Sequence, residues 1–181
     1  MKILVTGAKG FIGKNLITGL YNKGYNTIYQ YDTDTSEEQL DFFIENCDFI
    51  FHLAGVNRSI DTGEFERVNK GLTCSILSKL EKANNPCPIL VSSSIRADEN
   101  TAYGISKKQM EEEVFSYGKN TGAQVYVYRL ANVFGKWCRP NYNSVIATFC
   151  YNISRGLPIN IYDSETMLNL VYIDDMVDEF I

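Results

Sequence analysis

Tyr103 and Lys107 stand four positions apart in the run Tyr103-Gly104-Ile105-Ser106-Lys107. On a helix that spacing stacks a phenol and an ammonium on one face. Just upstream, Ser92, Ser93 and Ser94 follow the apolar run Pro88 to Val91, which reads as the mouth of a buried strand. The chemistry on offer is proton transfer to a carbonyl oxygen. Tyr103 would be the general acid, Lys107 the charge that acidifies it, and Ser94 the hydrogen bond that holds the oxygen in line. A free phenol titrates near ~10, too high for fast exchange at neutral pH, so the lysine matters. A tyrosine and lysine at this spacing often occur together by chance, and the rest of the chain must supply what the pair acts with.

That supply is a glycine-rich turn at the start of the chain. Lys2 to Thr6 reads as a short buried strand and Phe11 to Asn22 as a helix closed by Gly24, with Gly7, Gly10 and Gly13 in and just beyond the turn between them. Glycines let the backbone approach a pyrophosphate, and the helix start offers free N–H groups and the positive end of its dipole. Gly7, Lys9, Gly10, Phe11, Ile12 and Gly13 are the candidate dinucleotide contacts. The spacing is GxxGxxG rather than the GxGxxG of ordinary dehydrogenases. Asp32 lies nineteen positions after Gly13, at the end of a second strand, Asn26 to Tyr31. There a carboxylate would take the adenosine ribose hydroxyls and favour NAD(H). Asp32-Thr33-Asp34-Thr35 is equally good turn chemistry, so both readings stand.

The remaining elements alternate. A helix runs from Ser36 through Phe43, and a nearly apolar strand from Cys47 to Leu53. A helix over Thr62 to Lys82 carries Phe65, Val68, Leu72, Ile76 and Leu80 at helical spacing. After the strand Pro88 to Val91 come a helix from Ala102 to Tyr117, a strand from Gln124 to Leu130 and a helix from Val145 to Ile153. A last helix starts at Asp174. Apolar strands alternating with helices predict an α/β fold: a Rossmann-like, doubly wound parallel sheet with helices on both faces.

On this frame further residues gain roles. The backbone at Leu53, Ala54 and Gly55 follows the third strand and is expected to lie against a cofactor, and Ser92 is a further candidate contact. Asn57 and Arg58 are within reach of a substrate, although Arg58 reads almost as well as a surface charge. Asn132 ends a strand where a polar side chain faces the ligand crevice. Lys136, Arg139 and Asn143 cluster with Trp137 and Tyr142, and cations and amides beside aromatics suit a uracil–diphosphate group. His52 ends an apolar strand and reads as a packed side chain rather than a base. Asp174 and Asp175 read as helix N-terminal acids before they read as a catalytic pair.

Composition removes several classes. With 181 residues, a net charge of −5 and no cluster of Lys and Arg, the chain suits one domain without a nucleic-acid surface. Its five cysteines form no CxxC pair, which points to free thiols in a reducing compartment, and one histidine makes a His/Cys metal cage improbable. No stretch approaches the ~20 apolar residues of a membrane span, and the first apolar run is too short for a signal peptide. The expected setting is the cytoplasm, with no membrane partner.

Taken in order, six segments resemble the extended short-chain dehydrogenase/reductases. They are Thr6-Gly7-x-x-Gly10-x-x-Gly13, His52-Leu53-Ala54-Gly55, Ser92-Ser93-Ser94, Tyr103-x-x-x-Lys107, Arg129-x-x-Asn132-Val133-Phe134-Gly135 and Tyr172-Ile173-Asp174-Asp175. A closer similarity is to the reductase domain of capsular-polysaccharide enzymes of the CapF kind. It rests on His52 to Arg58, on the nine-position step from Ser94 to Tyr103, and on Phe134 to Tyr151. The resemblance implies NADPH-dependent reduction of the C4 ketone of a UDP-2-acetamido-2,6-dideoxyhexulose, toward UDP-N-acetyl-L-fucosamine, by a homodimer. It also implies that Lys107 binds the nicotinamide ribose. Such enzymes carry a C-terminal metal-binding cupin, so residues 1–181 would be the Rossmann domain, with a substrate lobe beginning near 133 and cut short. The alternatives are another sugar-nucleotide 4-epimerase or dehydratase, for which Asp98-Glu99 is a faint hint, or a non-catalytic dinucleotide-binding domain.

Overall fold

Five strands build the sheet that carries the site: β1 (Lys2–Thr6), β2 (Thr27–Tyr31), β3 (Phe49–His52), β4 (Ile89–Ser94) and β5 (Val125–Leu130). The computed structural model describes residues 1–181. All five strands are parallel, in the order β2-β1-β3-β4-β5. The chain leaves β1 toward β2 and then crosses back to β3, so the winding direction reverses between β1 and β3. In open parallel sheets the crevice at that reversal, outside the carboxyl ends of the strands, is where ligands bind.

Alternation along the strands explains the two layers. Leu4, Ile50, Ile89 and Val91 point to one face, under α2 (Glu37–Asn46), α4 (Leu72–Lys82) and α5 (Ala102–Thr121). Ile3, Val5, Phe51 and Leu90 point to the other, under α1 (Phe11–Asn22) and α7 (Ile173–Phe180). Each large side chain so buried contributes on the order of 1.5–3 kcal/mol. Local chemistry sets the helix ends. Ser36 and Gln39 close a reciprocal capping box on α2. Thr101 accepts the Gly104 N–H at 3.1 Å, and Gly122, at φ +76°, stops the same helix after Thr121. The Thr101 cap also fixes the first turn of this helix, where Tyr103 sits.

Three features depart from the sequence expectation. The helix expected over Thr62 to Lys82 is broken into α3 (Thr62–Phe65), a π-helical turn (Glu66–Gly71) and α4. Strand β4 runs on through Ser94, so the three serines are in the sheet and buried. A small parallel sheet pairs β6 (Asn132–Phe134) with β7 (Leu170–Tyr172), and α6 (Val145–Ile153) lies between them in the chain. Strands of three residues with a long connection leave no periodic signal in sequence.

Candidate active site

A cleft of about 650 Å³ opens along the carboxyl ends of β1, β3, β4 and β5. Its first wall is the glycine turn. Gly7 adopts φ +67°, and a Cβ there would sit 2.8 Å from the Ala54 nitrogen. A Cβ on Gly13 would fall 2.2 Å from the Gly7 carbonyl oxygen. Both positions need glycine, so that β1, the segment after β3 and the start of α1 can close on one another. Helix α1 starts with no side chain capping it, and Phe11, Ile12 and Gly13 line the cleft. Its first-turn N–H groups are therefore placed for an anion.

Asp32 lies beside this wall and does not line the cleft. Its carboxylate accepts the Lys9 N–H at 2.8 Å and the Thr33 N–H at 2.9 Å. The Lys9 ammonium pairs with Asp34. The turn chemistry is observed: Asp32, at the end of β2, fixes the glycine turn through the Lys9 N–H.

The second wall holds the serines, Tyr103 and Lys107. Ser94 accepts the Arg96 N–H at 3.2 Å and caps a short 3-10 turn, Ile95–Asp98. Tyr103 packs edge-on against Phe65, with ring centroids 5.8 Å apart, and the Arg96 guanidinium lies 5.8 Å from its ring centre. Burial pushes the Tyr103 phenol up, while the Ser94 hydroxyl and Arg96 pull it down. The acidification expected from Lys107 is thus supplied here by Ser94 and Arg96 and is outweighed by desolvation. Lys107 is almost wholly buried, and its ammonium donates to the Ser92 carbonyl at 2.9 Å. Desolvation lowers its pKa to about 8, with Glu111 opposing.

Behind this wall, two residues that the sequence reading did not single out, Glu111 and Asn69, join others that it did. Glu111, one helical turn past Lys107, is buried and accepts from Ser93 and, in bidentate fashion, from Arg129 at 2.7–3.2 Å. Arg129 also reaches Asp98 at 2.6 Å, and Lys108 lies 3.4 Å from the same carboxylate. Glu99 is paired with Arg96 at 2.9 Å. The two acids that hinted at a dehydratase are therefore both engaged in ion pairs. Asn69, in the π-helical turn, is fully buried; it accepts the Val56 N–H at 2.8 Å and donates to the Val56 carbonyl and the Ser106 hydroxyl, each at 3.0 Å. The signal was legible: Asn69 lies four positions after Phe65, on the apolar face of the helical pattern. Glu111 likewise continues the face of Tyr103 and Lys107.

The third wall comes from the end of β5 and the loop after β6. Asn132, Arg139 and Asn143 line the cleft, together with Trp137 and Tyr142. The Arg139 guanidinium sits 5.3 Å from the Tyr142 ring centre. Leu53, Gly55, Val56 and Asn57 line it from the β3 side, and Ala54, though it meets Gly7, does not. Two expected substrate contacts are placed differently. The Lys136 ammonium pairs with Asp174 at 2.8 Å, and Arg58 donates to the Tyr142 carbonyl. Neither lines the cleft, because each is drawn to a protein acceptor beside it. Asp174 and Asp175 sit in the first turn of α7 and make no side-chain cap there. No group of three or more His, Cys, Asp or Glu side chains is placed to hold a metal ion, and all five cysteines are free. No helix is long and apolar enough to cross a membrane.

Known proteins align with this architecture along its whole length. The chain is 46% identical over 180 residues to the UDP-2-acetamido-2,6-beta-L-arabino-hexul-4-ose reductase of Pseudomonas aeruginosa, which covers 99% of this chain and 48% of that protein. The crystal structure of the capsular polysaccharide assembling protein CapF from Staphylococcus aureus superposes with a TM-score of 0.87 at 42% identity, over 99% of this chain and 48% of that one. The chain thus spans about half the length of these two relatives. The fold is shared more widely: a UDP-glucose 4-epimerase from Thermotoga maritima, crystallised with UDP-glucose, superposes with a TM-score of 0.87 at 24% identity, over 98% of this chain and 71% of that one. A family model described as the NAD dependent epimerase/dehydratase family matches residues 3–181. A match that runs from the first strand through the last helix makes the chain a member of that family.

Proposed function

We propose that this chain is the reductase part of a sugar-nucleotide enzyme, reducing the C4 ketone of a UDP-2-acetamido-2,6-dideoxyhexulose on the way to a capsular or surface polysaccharide precursor. The observation that carries the reading is the meeting of Ser94, Tyr103 and Lys107 on the cleft that also holds the glycine turn. The reductase name of the 46%-identical relative supports the substrate class. The residues present fit a nicotinamide dinucleotide, since Gly7, Gly10 and Gly13 line the cleft at the start of α1, where no side chain caps the helix. The N–H groups at the start of α1 would hold the pyrophosphate, Asp32 and Lys9 would flank the adenosine ribose, and Lys107 would meet the nicotinamide ribose. When bound, the dinucleotide supplies the hydride.

The protein's own part is proton delivery and alignment. Ser94 donates to the C4 oxygen and fixes its direction. Tyr103, held by Phe65 and Arg96, gives that oxygen its proton as negative charge develops on it. Lys107 keeps a positive charge beside the reacting centre, with Glu111 and Arg129 bracing its helix against β4 and β5. Trp137, Arg139, Tyr142 and Asn143 offer stacking and charge to the uracil and diphosphate. The reading takes NADP(H) as the donor. Lys9 at the Asp32–Asp34 turn provides a cation for a 2′-phosphate despite the carboxylates, while NAD(H) would use Asp32. It also takes the enzyme as a cytoplasmic homodimer, which sedimentation of the purified protein checks.

The test is product analysis after incubating the 4-keto sugar nucleotide with NADPH or NADH. Loss of reduced nicotinamide together with a C4 alcohol supports the reading. Epimerised or dehydrated product with no net consumption of reductant overturns it in favour of the epimerase or dehydratase alternative.

A further inference from the structure

We propose that His52, the single histidine, is a positioning residue: a neutral imidazole, protonated on Nε2, that keys the glycine turn to the helix bearing Tyr103 and Lys107. The direction of each hydrogen bond follows from its neighbour. Thr73 Oγ1 lies 2.7 Å from the Asn69 carbonyl, which can only accept, so the one Thr73 proton goes there. The same oxygen lies 2.9 Å from His52 Nε2 and is left to accept, so Nε2 carries hydrogen. In a neutral ring Nδ1 is then the acceptor, and Thr6 Oγ1, 2.7 Å away, is its donor. Thr6 Oγ1 in turn accepts the Ala54 N–H at 3.2 Å.

The chain of bonds starts at the residue before Gly7 and ends at the backbone of Tyr103. From Asn69 it continues through Ser106, whose hydroxyl donates to the Tyr103 carbonyl at 2.7 Å. Thr6, His52, Asn69, Thr73 and Ser106 are all buried, so each polar atom must be satisfied inside the protein. Thr6 and His52 are paired in register on β1 and β3, which puts both side chains on one sheet face, where the imidazole meets Thr73 of α4. Complete burial and the nearby Lys107 charge hold the imidazole pKa down to about 3, which agrees with the neutral form. A cationic ring would place a second positive charge beside Lys107. The π-helical turn has a reason in the same network: it brings Asn69 to Val56 and Thr73 to His52 on one side of the helix.

With one histidine in the chain, selective ¹⁵N labelling gives a single imidazole to read by NMR. The expected spectrum is the Nε2–H tautomer, unchanged from about pH 5 to about pH 8. An Nδ1–H tautomer, or a ring that titrates in that interval, overturns the proposal. The second readout is amide exchange at Ala54 and Val56, which needs no ligand. Thr73→Val is expected to raise both rates at least about 10-fold, and Thr73→Ser to restore them. The third, which rests on the functional reading above, is affinity for NADPH and NADH, expected to fall at least about 5-fold in Thr73→Val and to return in Thr73→Ser. A folded Thr73→Val with exchange, or with dinucleotide affinity, within about twofold of the parent overturns the positioning role. Should Thr73→Val fail to fold, the tautomer of the parent protein decides alone. If the parent binds neither dinucleotide, the functional reading fails, while tautomer and exchange still judge His52.

Discussion

Lys107→Met should make the protein more stable and inactive at once. The ammonium of Lys107 is fully buried, and its pKa falls from an ordinary 10.5 to about 8. At about 1.4 kcal/mol for each tenfold step, holding that charge costs about 3 kcal/mol at neutral pH. Methionine removes the cost and keeps most of the volume. It also leaves the Ser92 carbonyl without its 2.9 Å donor, a loss of about 1–2 kcal/mol. The balance is a gain of about 1–2 kcal/mol, or a midpoint rise of about 2–8 °C for a chain of this size. The pH dependence carries the sign. Below about 8 the lysine is protonated in folded and unfolded chains alike, and the cost is complete. Between about 8 and 10.5 the unfolded chain binds more protons than the folded one, so the parent gains stability relative to the variant as pH rises. Urea unfolding of both proteins at about pH 7 and about pH 10 measures the difference, and the other titrating groups cancel to first order. A gap that stays flat with pH, or a variant less stable by over about 1 kcal/mol at neutral pH, would refute the reasoning. A stabilised, inactive variant would mark Lys107 as a residue kept at the expense of stability.

Three further outcomes are expected. Tyr103→Phe should cut turnover of the 4-keto sugar nucleotide at least about 100-fold while dinucleotide titrations stay unchanged, since only the proton donor is lost. Gly13→Ala drives a Cβ to 2.2 Å from the Gly7 carbonyl oxygen, so it should cost at least about 2 kcal/mol in urea unfolding and abolish dinucleotide binding by calorimetry. Lys9→Ala should lower affinity for NADPH about fivefold more than for NADH, measured by quenching of protein fluorescence, because the cation offered to a 2′-phosphate is gone.

Much of the site was legible because its residues lie close in sequence and on regular elements. The strand–turn–helix context of Gly7, Gly10 and Gly13 can be read from the chain, and so can the four-residue step from Tyr103 to Lys107. What was not legible depends on long-range partners. Lys136 and Arg58 read as free cations until Asp174 and the Tyr142 carbonyl are seen beside them. Lys107 looks like the group that acidifies Tyr103 until Ser94 and Arg96 are seen to be the ones that pull the phenol down.

The sequence by itself determined the alternating α/β plan, the glycine turn, and the serine, tyrosine and lysine that face the cleft, since periodicity and local spacing encode all of these. The tertiary structure alone decided the strand order β2-β1-β3-β4-β5 and hence where the crevice opens. It also decided the π-helical turn that aims Asn69, the Glu111–Arg129 pair behind the serines, and the proton placement on His52. Those outcomes depend on which buried polar atoms meet across strands and helices far apart in the chain, and a hydrogen bond in a water-free interior goes to whichever partner the fold brings within reach.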